Sequence, residues 1–449
     1  MFHSTNYNSP NVNFKEAILK GQAPDKGLYM LNKINTLEQE QIFSFRNLSL
    51  HQIGIIVLSN IIGKTIPKKE FEKIVKKALN FDAPVKSITK NDFICYLDKG
   101  PTCSFKDFGA RTLARMLQYF LEKENKNIII LTATSGDTGG AVAQAFYEMN
   151  RIKVVVLFPK NEISKLQRKQ MTTLGKNITA IGIKGKFDDC QRYVKKAFAD
   201  GELSHLRLSS ANSINFGRLL PQTLYYFWGY SRIVEKKGEK VIFSVPSGNF
   251  GNLMGGLIAY NMGLPVKRFI AAVNENDEFP KFLTTGTYEK VEPSKNCISN
   301  AMNVGHPSNL ARLIDLFDGQ IDETGTIHKK PNMEQMRKTI VSYSISDQET
   351  KETIKNFYNK YQGILEPHGA VGWSALLYYR KEHPDETEFK SITFETADPA
   401  KFPDEIIELI NITPEIPGSL KKIQNREEIP NPVEIANYNE FKTFLLKNF

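Results

Sequence analysis

Six short apolar runs separated by helical patterns constrain the fold of this chain more than any other feature. Asn127–Thr132, Val154–Phe158, Ile178–Ile183, Val241–Val245, Phe269–Val273 and Ile392–Glu395 are β-rich and carry few polar residues. A strand that keeps one face in water alternates polar and apolar positions, whereas a nearly continuous apolar run is buried on both faces. Such strands alternating with helices predict an α/β fold with parallel sheets covered by helices. Lys15 to Leu79 instead places apolar residues at helical spacing, with a break at Thr65-Ile66-Pro67, and predicts a mostly helical N-terminal unit. Met333 to Tyr361 reads as helical and charged, and the tail after Asp404 as helical with loops.

A chain of 449 residues with 41% hydrophobic and 24% charged residues has ample material for a buried core. Met1 to Lys20 has no apolar stretch of signal-peptide type. The densest apolar run, Ile53 to Ile62, is too short to cross a bilayer and is broken by Gly54, Ser59 and Asn60. The expectation is a cytoplasmic protein with no membrane partner. Four cysteines, Cys95, Cys103, Cys190 and Cys297, show no paired or metal-type spacing, so free thiols and no metal are expected. The net charge of +10 raises the question of nucleic acid. Its lysines are scattered, with Lys68, Lys69, Lys73, Lys76 and Lys77 on one helix, and no basic run is interleaved with aromatic residues. Solvated helix faces account for the charge, and no nucleic-acid partner is expected.

Three turns carry the chemistry. Gly100-Pro101 is a turn signal before a helix marked by Leu113, Met116, Leu117, Phe120 and Leu121, which puts Lys106 near the helix start. The positive pole of a helix disfavours an ammonium there, and a lysine kept neutral attacks carbonyls. The strand Val241–Val245 runs into Pro246-Ser247-Gly248-Asn249-Phe250-Gly251-Asn252 and then a helix, an arrangement in which backbone N–H groups converge on an anion. It ends in no Gly-Lys-Ser/Thr and is not GxGxxG, which disfavours nucleotide sites. Thr134-Ser135-Gly136-Asp137-Thr138-Gly139 is a similar turn with added hydroxyls, suited to a carboxylate.

These motifs, with Ser104-Phe105-Lys106-Asp107-Phe108-Gly109, Asn212-Ser213-Ile214-Asn215, Ser299-Asn300-Ala301-Met302, Glu366-Pro367-His368 and Thr396-Ala397, occur in an order that closely resembles the threonine synthases. Those are pyridoxal-phosphate enzymes of the tryptophan-synthase-β-like (fold type II) superfamily. The resemblance runs from about Gly27 to Phe402 and includes Pro399-Ala400-Lys401-Phe402. It implies that Lys106 holds pyridoxal 5'-phosphate as a Schiff base and that Gly248, Asn249, Phe250, Gly251 and Asn252 wrap the cofactor phosphate. Thr396 would meet the ring nitrogen and, being a hydroxyl, leave it largely uncharged. Ser135, Asp137 and Thr138 would receive the substrate carboxylate, and Asn212, Ser213 and Arg218 the substrate phosphate. Asn252 and Asn303 stand where the family usually has aspartate, and Asp398 where it usually has histidine.

The resemblance further implies a division into a helical domain (1–92), a large cofactor domain (93–127 and 209–404), a small mobile domain (128–208) and a C-terminal helical tail (405–449). The reaction implied is O-phospho-L-homoserine and water to L-threonine and phosphate, the last step of threonine biosynthesis, in a monomer or homodimer. Two alternatives on the same fold are a lyase or dehydratase releasing 2-oxobutyrate and a cofactor-binding homologue without turnover.

Overall fold

The computed structural model describes residues 1–429 and 433–449. The N-terminal unit is built on helices Phe14–Lys20, Gln39–Ser44, Leu50–Ile62 and Lys68–Ala78. Two of them start at a capping box, Asn13 with Glu16 and Ser49 with Gln52, in which side chain and backbone satisfy each other's free donors. In Lys68–Ala78 the five lysines face solvent while Phe71, Ile74, Val75 and Ala78 are buried. That amphipathic face accounts for the basic excess there.

Past this unit the chain builds two large sheets, besides a two-stranded pair of Gln320–Ile321 with Ile327–Lys329. Strands β1 (Val85–Ser87) and β2 (Asp92–Tyr96) precede helix α1 (Lys106–Glu124). Then follow β3 (Ile128–Ala133), α2 (Asp137–Phe146), β4 (Ile152–Pro159), β5 (Ile178–Ile183), α3 (Phe187–Ala199) and β6 (Leu208–Ser210). The chain returns through β7 (Val241–Pro246), α4 (Gly251–Asn261), β8 (Val266–Val273), β9 (Ile340–Ser344), α5 (Pro367–Glu382) and β10 (Ser391–Glu395). It closes with β11 (Val433–Ile435) and α6 (Tyr438–Asn448). The larger sheet has the order β9-β8-β7-β10-β2-β1, parallel except for the edge pair β1–β2. The smaller has the order β11-β5-β4-β3-β6 and is parallel throughout. All residues of β3, β7 and β10 are buried, including the polar Ser391, Thr393 and Glu395 of β10, as strands covered on both faces require.

The structure departs from the sequence reading at three places. Met333–Tyr361 is interrupted by β9, an edge strand whose Ile340 alone is fully buried and whose flanking helices hide it in a charged context. The small sheet takes in β6, so it extends to Ser210 and past the expected limit at 208. The tail is not wholly helical: β11 pairs with β5, and Tyr438, Phe441 and Leu445 of α6 join Ile181, Val194 and Leu203 in the small sheet's core. A three-residue strand framed by polar residues has too little periodicity to be read before its partner is known.

Phe441 is fully buried in that core. Phe441→Ala is expected to cost about 3–5 kcal/mol through lost burial and the cavity left behind. The measurement is the midpoint of urea unfolding; a midpoint equal to wild type would show that the tail does not belong to the small core.

Candidate active site

One cavity collects the C-terminal ends of strands from both sheets. Ala133 of β3, Ser210 of β6, Pro246 of β7 and Thr396 after β10 all line it. Ligands of open parallel sheets bind at this end, where the loops diverge. Every site residue expected from the sequence lies on its wall, from Lys106 and Thr396 to Arg218.

Lys106 is the first residue of α1. The preceding turn is held by the buried Asp107, whose Oδ2 accepts the Thr102 N–H at 2.8 Å and whose Oδ1 accepts the Thr102 hydroxyl at 2.9 Å. The Phe105 N–H donates to the Thr396 carbonyl at 2.9 Å, which ties the helix start to the end of β10. Among the described residues Nζ has no hydrogen-bond partner, and it lies 5.4 Å from the centre of the Phe105 ring. Burial pushes the amine down to about 8, with Asp137 opposing and Lys401 and Arg218 adding to the fall. A free amine at near-neutral pH is therefore within reach.

The turn after β7 makes the second wall. Phe250 adopts φ +58°, a left-handed conformation unusual for a bulky residue, and its ring packs edge-on against Phe279 with centroids 4.8 Å apart. A Cβ on Gly248 would lie 2.9 Å from the Ala301 carbonyl oxygen, so only glycine lets the Ser299–Met302 segment close over the turn. Asn252, at the start of α4, accepts the hydroxyls of Tyr225 and Tyr226 on Oδ1 at 2.7 and 2.9 Å. Its Nδ2 is buried without a partner among the described residues. An orphaned donor at a helix start beside a glycine turn fits a phosphate.

Arg218 is buried, donates through Nη1 to the Ala211 carbonyl, and is pushed down to about 10 by burial. Ser213 Oγ accepts Asn249 Nδ2 at 3.0 Å and Asn309 Nδ2 at 2.9 Å, and Asn212 Nδ2 donates to the Ala133 carbonyl at 2.8 Å. The Asn212–Asn215 loop is pinned from outside by Arg312, which donates to the carbonyls of Tyr29, Ser213 and Ile214 at 2.9, 2.9 and 2.6 Å. The N-terminal unit thus braces the site through Tyr29. Asn309 and Arg312 belong to no motif, and nothing local in the sequence pointed to them.

At the remaining wall, Gly136 has φ +142° and lets α2 begin sharply after β3. The Asp137 carboxylate is already engaged. Lys401 Nζ meets its Oδ1 at 2.9 Å and Gln167 Nε2 donates to the same oxygen at 3.1 Å. Burial raises this carboxyl, but Lys401, then Lys106 and His368, outweigh it and hold it well below its ordinary range. Both partners of the Asp137–Lys401 pair are buried. Ser135 and Thr138 keep their hydroxyls at the cavity. Asn303 lies off this wall, where its Oδ1 accepts Asn274 Nδ2 at 2.9 Å and its role is to hold a loop. Asp398 caps the turn that follows β10 and accepts the Ala400 N–H at 2.9 Å.

A lysine amine without a partner among the described residues and a glycine turn opening a helix, set between parallel sheets, suit a pyridoxal-phosphate enzyme, and residues 93–390 match the profile of that family, "Pyridoxal-phosphate dependent enzyme". Residues 1–79 match "Threonine synthase N terminus" and residues 369–445 "Threonine synthase, C-terminal". The threonine synthase of Buchnera aphidicola from Acyrthosiphon pisum is 39% identical over 455 aligned positions, covering 100% of this chain and 99% of that protein. The crystal structure of threonine synthase from Escherichia coli superposes with a TM-score of 0.88 at 34% identity over the full length of both chains. That of pyridoxal-phosphate-bound threonine synthase from Brucella melitensis gives 0.88 at 31% identity, covering 99% of this chain and 98% of that one. The chain belongs to the threonine synthase family.

Gly248→Val is expected to lower the pyridoxal phosphate retained after dialysis at least tenfold, because the branched side chain must displace backbone at 301–302. Retention at the wild-type level would remove the close-approach argument. Competitive labelling of the cofactor-free protein is expected to show Lys106 gaining reactivity as pH rises through about 8. A rise seen only at the ordinary lysine range, near 10.4, would show Nζ to be solvated.

Proposed function

We propose that this chain converts O-phospho-L-homoserine and water to L-threonine and phosphate. The observation that carries the proposal is the Lys106 amine, held without a partner in a cavity that also presents Arg218 and a phosphate-type glycine turn. Lys106 would hold the carbonyl carbon of pyridoxal phosphate, Gly248–Asn252 its phosphate and Thr396 its ring nitrogen. Bound there, the cofactor supplies an electron sink for charge developing at the substrate carbons.

The protein's own residues divide the remaining work. Arg218, with the Asn212 and Ser213 side chains, takes the substrate phosphate and holds it as it leaves; a planar guanidinium suits that task. The Ser135 and Thr138 hydroxyls and the backbone at the start of α2 take the substrate carboxylate. Asp137 shapes this corner through Lys401, since its own charge would repel the carboxylate. Once substrate is bound, the free Lys106 amine moves protons at Cα and Cβ, a role suited to an amine whose proton affinity is lowered by burial. Movement of the smaller sheet against the larger would admit water only when it is to add at Cβ. Four buried, unpaired cysteines support work in a reducing compartment such as the cytoplasm.

Incubation with O-phospho-L-homoserine, with phosphate, threonine and 2-oxobutyrate assayed together, tests the proposal. Phosphate and threonine in equal amounts are expected. Phosphate matched by 2-oxobutyrate would make the chain a lyase, and no phosphate release would leave it a binding protein.

A further inference from the structure

Part of the cavity wall is the face of a single helix of the smaller sheet. Phe187, Gln191, Val194 and Lys195 of α3 all line it. Their spacing, i, i+4, i+7 and i+8, forms one helical stripe. Val194 roots that stripe in the small sheet's core, beside Ile181 and Leu203. Two other cations of α3 are occupied elsewhere: Arg192 pairs with Asp189, and Lys196 Nζ stands 4.3 Å from the centre of the Tyr438 ring. Lys195 is exposed at the cavity opening and has no hydrogen bond or ion pair among the described residues. The acids around it are engaged. Asp188 accepts the Ser294 hydroxyl at 3.2 Å, Glu323 pairs with Lys26 at 3.1 Å, and Glu292 with Lys290 at 2.8 Å. Desolvation in the cleft lowers the Lys195 amine below its ordinary value, against the pull of Glu323 and Asp188.

The charge balance of the cavity says what this ammonium is for. A phosphate monoester carries about 1.5–2 negative charges at neutral pH. Among the described residues, the lysine and arginine side chains on the cavity wall are Lys106, Arg218 and Lys195. Lys106 is taken up by the cofactor and by proton transfer. Arg218 supplies one charge, and part of its donor set is spent: Nη1 donates to the Ala211 carbonyl, and Nε lies against α1, where a Cβ on Gly109 would stand 3.0 Å from it. Asn212 and Ser213 are neutral and already share hydrogen bonds with Ala133, Asn249 and Asn309. Arg218 with these groups leaves up to about one charge of the phosphate unbalanced. Lys195 is the cation left to balance it.

We propose that Lys195 is the second cationic ligand of the substrate phosphate and selects phosphorylated over unphosphorylated substrate. The inference rests on the reaction proposed above. Arg218 is buried and fixed against α1, whereas Lys195 reaches in on a flexible four-carbon stem. A planar guanidinium then supplies geometry, and a mobile ammonium supplies charge. Phosphate bound between them would join α3 to the α1 side of the cavity and narrow the opening.

The test compares wild type, Lys195→Gln and Lys195→Arg as holoproteins. The side chain is exposed, so neither change is expected to disturb folding. With O-phospho-L-homoserine, Lys195→Gln is expected to lose about ten- to a hundredfold in kcat/KM, the range for one charged hydrogen bond, and Lys195→Arg to recover most of it. Inorganic phosphate is expected to inhibit Lys195→Gln about tenfold more weakly than wild type. L-threonine, which has no phosphate, is expected to bind both alike, as read from the absorption change of the holoprotein. Wild-type kcat/KM and phosphate inhibition in Lys195→Gln overturn the assignment while leaving the reaction intact. Equal weakening toward phosphate and threonine assigns Lys195 a structural role and overturns it as well. Failure of the reaction itself is separable, because wild type would then release no phosphate from O-phospho-L-homoserine, and that result overturns both.

Discussion

The buried pair between Lys401 and Asp137 sets the conditions for everything around it. It joins the turn after β10, in the larger sheet, to the first residue of α2, on the smaller one. Removing one partner of such a pair strands a charge in a low-dielectric setting and costs about 3–5 kcal/mol. Its two charges act on Lys106 in opposite directions, because Asp137 favours the ammonium and Lys401 disfavours it. With the two opposed, burial decides, and it lowers the proton affinity of Lys106. A corner holding two lysines and one aspartate thus pairs one lysine with the carboxylate and makes its neighbour a usable amine.

The glycine turn proposed to take the cofactor phosphate carries a neutral residue, Asn252, at the start of α4. Tyr225 and Tyr226 point their hydroxyls at Asn252 Oδ1, and burial raises both phenols well above their ordinary range. They stay protonated and act as donors. The amide nitrogen is then left toward the cavity as a donor, which an aspartate in the same place lacks. An amide at 252 is compatible with anion binding for that reason.

What was legible in the sequence was local. Strands β3 to β5, β7 and β8 announce themselves by largely apolar runs and β10 by its β-rich composition, and Lys106, Gly248 and Thr396 sit at the turns that follow or precede such signals. Residues whose role depends on distant partners were not assigned one. Lys401 and Glu366 lay within quoted motifs, yet only the meeting of the chain after β10 with the starts of α2 and α5 explains them. Arg312 looks like any helix arginine until it is seen fully buried, bridging Tyr29 and the 213–214 carbonyls. Strand β9 was hidden by the charged helices on either side, and β11 by its brevity.

The pairing of β11 with β5 has a consequence for how the molecule is made. On a ribosome, residues 128–210 emerge long before 433–445, so the smaller sheet waits with one edge unpaired and the apolar cluster around α3 incomplete. Exposed parallel edges invite pairing with other chains. Translation rate through the intervening segment, and any chaperone that shields a nascent edge, therefore bear directly on yield. A message broken before codon 433 would produce a chain that carries Lys106 and Thr396 yet remains sticky, a natural target for proteolysis.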